Sequence, residues 1–117
     1  MTIYDLNERT IVFAKRVRQF IKRLKQTIAN IEDERQLIKS SGSVGANYRE
    51  ANEALSKKDF AMRIKICRKE AKESEYWLTL IDPENDSLLE QERVALKNEA
   101  LELVKIFNTI LQKSSCT

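Results

Sequence analysis

A row of polar side chains at helical spacing is the first feature of this sequence that could carry chemistry. Ser40, Ser43, Asn47 and Glu50 follow one another at intervals of three, four and three residues. That spacing places all four on one side of a helix. Such a row serves either as a hydrogen-bonded network between helices or as part of a carboxylate metal site.

Two later glutamates, Glu70 and Glu73, offer the facing side chains that either arrangement needs. A metal site of Glu50, Glu70 and Glu73 would be similar to those of di-iron bundles, but such sites add a Glu-x-x-His pair, and this sequence has no histidine. The lack of histidine also removes the commonest general base and every Ser–His or Cys–His nucleophile. We therefore expect no catalytic residue, no metal and no cofactor. The predicted structural polar network consists of Ser40, Ser43, Asn47, Glu50, Glu70 and Glu73.

Two glycines lie within the same segment, as Gly42-Ser43-Val44-Gly45. Each costs a helix about 1 kcal/mol on propensity alone, so a compensating interaction is expected. The small side chains favour close approach of a neighbouring helix. The alternative is a phosphate-clamping loop like the GXXG of a KH domain. That domain also needs a sheet, and two glycines and one proline in 117 residues leave few turns for one.

The start of the chain is strongly basic. Residues 1–30 carry seven Lys or Arg against two acidic residues, whereas residues 82–117 carry four against seven. Charge of one sign along a helix favours contact with a polyanion such as nucleic acid, and the alternative is pairing with an acidic neighbour. The candidate nucleic-acid-binding residues are Arg9, Lys15, Arg16, Arg18, Lys22, Arg23 and Lys25.

Apolar residues recur at alternating steps of three and four through four segments, which predicts four helices. We place these helices over about residues 7–29, 32–55, 57–81 and 87–113, with breaks near Asn30, Ser56 and Pro83. Asp5 or Asn7 can cap the first helix and Ser56 the third, and Ser87 with Glu90 forms a capping box for the fourth. The predicted fold is all-α, an antiparallel up-down-up-down four-helix bundle in one domain spanning residues 1–117.

The predicted core consists of one apolar stripe from each helix. These stripes are Leu6, Thr10, Phe13, Val17, Phe20, Leu24 and Ile28; Leu37, Ser41, Val44, Tyr48, Ala51 and Leu55; Phe60, Ile64, Cys67, Ala71, Ser74, Leu78 and Ile81; and Leu89, Leu96, Ala100, Leu103, Phe107 and Ile110. Trp77, the sole tryptophan, is interpreted as packing in the core or at a subunit interface, with base stacking as the alternative.

Cysteine usage and the N-terminal residues indicate the compartment. Cys67 and Cys116 do not make a disulfide framework, and residues 1–10 lack the pattern of a signal peptide. No apolar run approaches the roughly 20 residues of a membrane span. We therefore expect a cytoplasmic protein.

Three stretches resemble the bacterial four-helix-bundle proteins whose reading frames were found within 23S ribosomal RNA intervening sequences. The stretches are Leu6 to Ala14, Gln36 to Ala51 and Ser56 to Leu78. The residues that carry the resemblance are Ser40, Ser43, Asn47, Glu50, Lys58, Asp59, Phe60, Glu70, Glu73, Trp77 and Leu78. Lys39 departs from the arginine often found before the first serine.

The resemblance implies a four-helix bundle assembled as a homopentamer, without an established catalytic activity. It also implies kinship with accessory proteins of diversity-generating retroelements, in which a basic pentamer associates with a reverse transcriptase and nucleic acid. We therefore predict a non-enzymatic oligomer that binds RNA, DNA or a complex with a reverse transcriptase through its basic first helix. The alternative is a protein-binding scaffold, in which acidic and basic helices of neighbouring subunits pair. Neither hypothesis involves a membrane.

Overall fold

Four α-helices make up nearly all of the chain. The structure is a computed structural model that describes residues 5–115. Its helices are α1 (Leu6–Lys22), α2 (Ile28–Asn52), α3 (Lys57–Leu80) and α4 (Ser87–Ser115), and residues 5–115 contain no strand. The all-α prediction is confirmed. None of the four helices, within this part of the chain, is long and apolar enough to cross a membrane.

The order of side-chain pairs shows that neighbouring helices run in opposite directions. Arg9 on α1 meets Glu99 on α4, and Arg16, two turns further along α1, meets Glu92, two turns back along α4. Each helix packs along two others in the cyclic order α1–α2–α3–α4, and across the diagonal the ring of Tyr48 on α2 meets the ring of Phe107 on α4 at a centroid distance of 6.2 Å. The fold is therefore the predicted up-down-up-down bundle.

The core lies where the four apolar stripes meet. Phe13, Val17, Leu37, Val44, Ile64, Cys67, Ala71, Leu78, Leu96, Ala100, Leu103 and Phe107 are all fully buried. The predicted burial is wrong for two residues of the apolar stripes: Ile28 is 85% exposed and Leu55 is 99% exposed. Ile28 is the first residue of α2 and Leu55 lies in the turn after it, so both lie at the ends of the bundle, where no helix covers them.

The first connection differs from the sequence prediction. α1 ends at Lys22, not near residue 29, and α2 begins at Ile28 and ends at Asn52. Leu24 continues the apolar stripe beyond α1 and is only 5% exposed, so the pattern does not reveal where the helix stops. Thr27 caps α2, because its side chain accepts a hydrogen bond of 3.1 Å from the Asn30 backbone N–H.

Asn30, predicted to mark a break, is a buried residue in the first turn of α2 that joins two connections. Its Nδ2 donates to the carbonyl oxygens of Lys25 at 3.1 Å and Asp82 at 3.0 Å. Its Oδ1 accepts from the backbone N–H of Asp82 at 3.1 Å. The side chain therefore ties the α1–α2 connection to the α3–α4 connection at one end of the bundle.

Local caps set the starts of the remaining helices. Asp5 caps α1 and Ser56 caps α3, each accepting from the backbone N–H three residues later, so the cap predicted at Ser56 is confirmed. The capping box predicted for Ser87 and Glu90 does not form. Asp86 accepts from the backbone N–H of Leu89 at 3.0 Å, while the Glu90 carboxylate binds Arg93.

Candidate functional site

The seven candidate cations of the first helix divide into two groups. Arg9 and Arg16 lie against α4 rather than in open solvent. The Arg9 guanidinium donates from Nε and Nη2 to the two carboxylate oxygens of Glu99, at 2.8 and 2.9 Å. Arg16 reaches Glu92 in the same manner, with its shorter bond 2.9 Å long. These two arginines therefore join α1 to α4 within one chain.

The remaining candidates are exposed. Lys25, just beyond α1, is 3.4 Å from a carboxylate oxygen of Glu84. Arg18 donates from Nη1 to the Ala14 carbonyl oxygen at 3.2 Å, within its own helix. Lys15, Lys22 and Arg23 make no ion pair with any residue from 5 to 115. The exposed positive face of α1, defined to include the C-cap residue Arg23, is therefore made of Lys15, Arg18, Lys22 and Arg23.

The predicted polar network exists only in part. The Ser74 hydroxyl is 2.9 Å from the Ser40 hydroxyl, and both serines are buried between α2 and α3. Two turns away, the Asn47 side chain donates from Nδ2 to the Ser43 carbonyl oxygen and accepts from Arg63 at 3.1 Å. These contacts tie α2 to α3 at two levels.

Glu50 lies outside this network. Glu50 is exposed, and its side chain makes no hydrogen bond or ion pair with the described part of the chain. The helix turns by 100° per residue, so a row spaced by three, four and three drifts away from the α2–α3 contact. By Glu50, near the end of α2, the side chain points to solvent.

Glu70 and Glu73 form a carboxylate pair on α3. Glu70 Oε2 is buried and has no hydrogen-bond partner among residues 5–115. Burial raises the pKa of the Glu70 carboxyl above its usual range, and the charge and hydrogen bonding of Glu73 raise that pKa further. Lys69 and Lys39 oppose this rise in the Glu70 pKa. Within residues 5–115, no group of three His, Cys, Asp or Glu side chains is placed to hold a metal ion.

The two adjacent aromatic residues near the end of α3 differ in environment. Trp77 is partly buried and packs against the core, as the packing interpretation predicts. Tyr76 is 55% exposed, and its ring meets the edge of Trp77 at a centroid distance of 5.1 Å.

The sequence analysis placed Ser74 only in the apolar stripe of the third helix, and it did not single out Arg63, Glu92 or Glu99 as partners. A signal existed for the last two, because Glu92 and Glu99 are seven residues apart, as are Arg9 and Arg16. Equal spacing on two antiparallel helices permits two matched pairs. Ser74 was a second signal, since it is a hydroxyl in an otherwise apolar stripe.

Comparison with known proteins agrees with this fold. The sequence model of the 23S rRNA-intervening sequence protein family matches residues 4–109. A crystal structure from Bacteroides thetaiotaomicron VPI-5482, of a protein with unknown function from the S23 ribosomal protein family, is similar to this chain. The TM-score is 0.76 and the identity 30%, over 90% of this chain and 96% of the other. No curated protein sequence matches. The chain belongs to the family of 23S rRNA-intervening sequence proteins.

Proposed function

We propose that this protein is a non-enzymatic, self-associating helical bundle that binds nucleic acid through the exposed cations of α1. The observation that carries the proposal is the exposed set Lys15, Arg18, Lys22 and Arg23, which no carboxylate of the described chain neutralises. Cations left free in this way attract a polyanion and release its counterions.

The ion pairs between α1 and α4 also bear on the scaffold alternative. In that hypothesis, basic and acidic helices of neighbouring subunits pair with each other. Arg9 and Arg16 already pair with Glu99 and Glu92 inside one chain, so these charges are less available to a neighbouring subunit. The pairs use carboxylates of α4 that a charge-paired scaffold needs and a nucleic acid does not, and on this ground they favour nucleic acid.

Self-association is supported by apolar side chains on the outward side of α3. Met62 and Tyr76 are each 55% exposed, and Leu80 is 46% exposed. Exposed apolar surface of this kind favours a protein interface, and a closed ring is the usual result when two different surfaces of the same chain meet. We propose a homopentamer in particular, following the family resemblance. Sedimentation equilibrium that gives a monomer at every protein concentration would overturn self-association.

The test of nucleic-acid binding is retention of labelled RNA or DNA at low salt. In the test variant, Lys15, Arg18, Lys22 and Arg23 are all replaced by glutamine. The matched control replaces four exposed lysines of α3, namely Lys57, Lys58, Lys65 and Lys72. We expect binding by the wild type, loss in the α1 variant and retention in the α3 control. No retention of either nucleic acid by the wild type would favour the scaffold alternative.

A further inference from the structure

A cleft of about 450 Å³ lies between α1 and α2, beside the exposed cations of α1. Its size falls within the range of about 300 to 1,000 Å³ that is typical of ligand sites. Ile11 and Ala14 of α1 and Gly42 and Ala46 of α2 line it with apolar or small groups. The two helices therefore leave open space along a seam where larger side chains would have packed.

The two glycines of α2 explain the shape of this cleft. A Cβ at Gly45 would lie 2.8 Å from Thr10 Oγ1 and 3.1 Å from Thr10 Cβ, so the helices touch there. A Cβ at Gly42 would meet only Arg18 Nη2, at 3.6 Å, which is an ordinary contact. Gly45 thus sets the close approach that the sequence predicts, whereas Gly42 leaves the cleft open under the Arg18 guanidinium.

Three cations line the cleft and no carboxylate does. Lys15 and Arg18 come from α1, and Arg49 comes from α2. All three are exposed, and none forms an ion pair with the described residues. The bond from Arg18 to the Ala14 carbonyl oxygen holds one side of that guanidinium and leaves its other N–H groups for a ligand. This chemistry fits a phosphate oxygen, which guanidinium groups bind with strong, charge-assisted hydrogen bonds.

The lining also limits which part of a nucleic acid would enter. No aromatic residue lines the cleft, so it has no platform for stacking a base. We propose that the α1–α2 cleft seats the phosphodiester backbone of a nucleic acid strand, held by Lys15, Arg18 and Arg49. This inference rests on the proposed function and adds Arg49, a residue of α2, to the binding surface. Recognition of this kind is independent of base sequence.

Two matched double variants separate the cleft from the rest of the basic face. The cleft variant is Lys15→Gln with Arg49→Gln, and the control is Lys22→Gln with Arg23→Gln, which removes the same charge outside the cleft. Binding of a short, labelled single-stranded RNA is measured across a series of salt concentrations. Loss of two phosphate contacts lowers the slope of log K against log salt by about 1.4 for a single strand. We expect that change in the cleft variant and a smaller one in the control.

A third variant, Gly42→Met, fills the cleft without changing any charge. We expect it to weaken RNA binding while circular dichroism shows unchanged helicity, and Gly42→Ala to bind more tightly than Gly42→Met. If the wild type binds RNA and the two double variants give equal slopes, phosphate binding in the cleft is overturned. Nucleic-acid binding by the exposed positive face of α1 then still stands. Absence of binding by the wild type would overturn the proposed function as well.

Discussion

Arg9 of α1 and Glu99 of α4 face each other through two hydrogen bonds, from Nε to Oε2 at 2.8 Å and from Nη2 to Oε1 at 2.9 Å. The hydrogen bond to Glu99 raises the pKa of the Arg9 guanidinium. Both side chains are partly shielded from solvent. This pair, repeated by Arg16 and Glu92, lies where α1 and α4 share their small contact. Part of the positive charge of α1 therefore stabilises the bundle rather than a partner.

The first prediction concerns this pair. Glu99→Gln should lower the free energy of unfolding by about 0.5 to 1 kcal/mol, because the pair is bidentate but only partly buried. Arg9→Gln should have a similar effect, and the double variant should cost less than the sum. The control is Lys105→Gln, which breaks a more exposed pair with Glu102 inside α4 and leaves every carboxylate near Arg9 in place. Urea denaturation that shows additive effects, or an equal loss in the control, would contradict the assignment.

The two glycines should respond oppositely to alanine. Gly42→Ala should stabilise the protein by up to about 1 kcal/mol, since alanine is the better helix former and space is available. Gly45→Ala should destabilise it, because the new methyl group would meet Thr10 at 2.8 Å. Adding Thr10→Ala should restore part of the loss at position 45. Thermal unfolding of the four proteins measures these differences, and equal stability of the two alanine variants would show that α1 and α2 do not touch there.

The polar row should divide into a buried and an exposed part. Ser74→Ala removes the buried hydrogen bond to Ser40 and should cost about 1 kcal/mol. Glu50→Ala should change the free energy of unfolding by less than about 0.5 kcal/mol, because Glu50 is exposed. Denaturant melts of both variants give the comparison. If Glu50→Ala lowered the free energy of unfolding more than Ser74→Ala, the stabilising contacts would lie at the Glu50 end of α2 and not at Ser40.

The raised pKa of Glu70 predicts that the stability of the protein depends on pH. Its pKa is raised in the folded state, chiefly by burial, so its ionisation opposes folding. At a pH below the pKa that Glu70 has in the unfolded chain, the carboxyl is protonated in both states and does not lower the free energy of unfolding. Stability is lost as the pH rises through the folded pKa. Glu70→Gln should therefore match the wild type at low pH and exceed it at neutral pH.

The control for this prediction is Glu73→Gln, which keeps the buried Glu70 carboxyl but removes its charged neighbour. This variant should recover only the part of the effect that comes from Glu73. Urea unfolding at a series of pH values measures all three proteins. If the difference in free energy of unfolding between Glu70→Gln and the wild type stayed constant with pH, ionisation of Glu70 would not be the cause of the pH dependence.

Cys67 should be chemically inert in the folded protein. The thiol is fully buried in the core, and burial raises its pKa to about 12. Almost no thiolate exists at neutral pH, and thiol reagents attack the thiolate. Cys116 lies outside the described residues, so the experiment uses Cys116→Ser. Labelling with a thiol reagent should be absent in the native protein and complete in urea, and rapid labelling of the native protein would show that the core opens readily.

Local sequence signals determined much of the architecture. Ser56 starts α3 through a cap, and the non-apolar run around Pro83 ends the preceding helix, because both effects act within a few residues. The spacing of apolar residues was also sufficient to identify the core side of each helix. Phe13, Val17 and Phe107, all read from that period, are fully buried.

Tertiary contacts decided two features that the spacing of apolar residues could not predict: the end of α1 and the burial of Asn30. Leu24 keeps the spacing of α1 but lies beyond its end, because burial against the other helices requires an apolar side chain whether or not the backbone there is helical. Asn30 appears in the sequence as a break, yet it is buried because Asp82, 52 residues away, supplies partners for its amide. Neither outcome is encoded by near neighbours in the chain.

The basic helix shows the same division most clearly. Sequence alone established that seven cations cluster in the first segment and that the last segment is acidic. Only the packing of α1 against α4 decided that Arg9 and Arg16 would be paired, and only the packing of α1 against α2 placed Arg49 beside Lys15 and Arg18. The physical reason is that charge composition belongs to the chain, whereas the distance between two charges belongs to the fold.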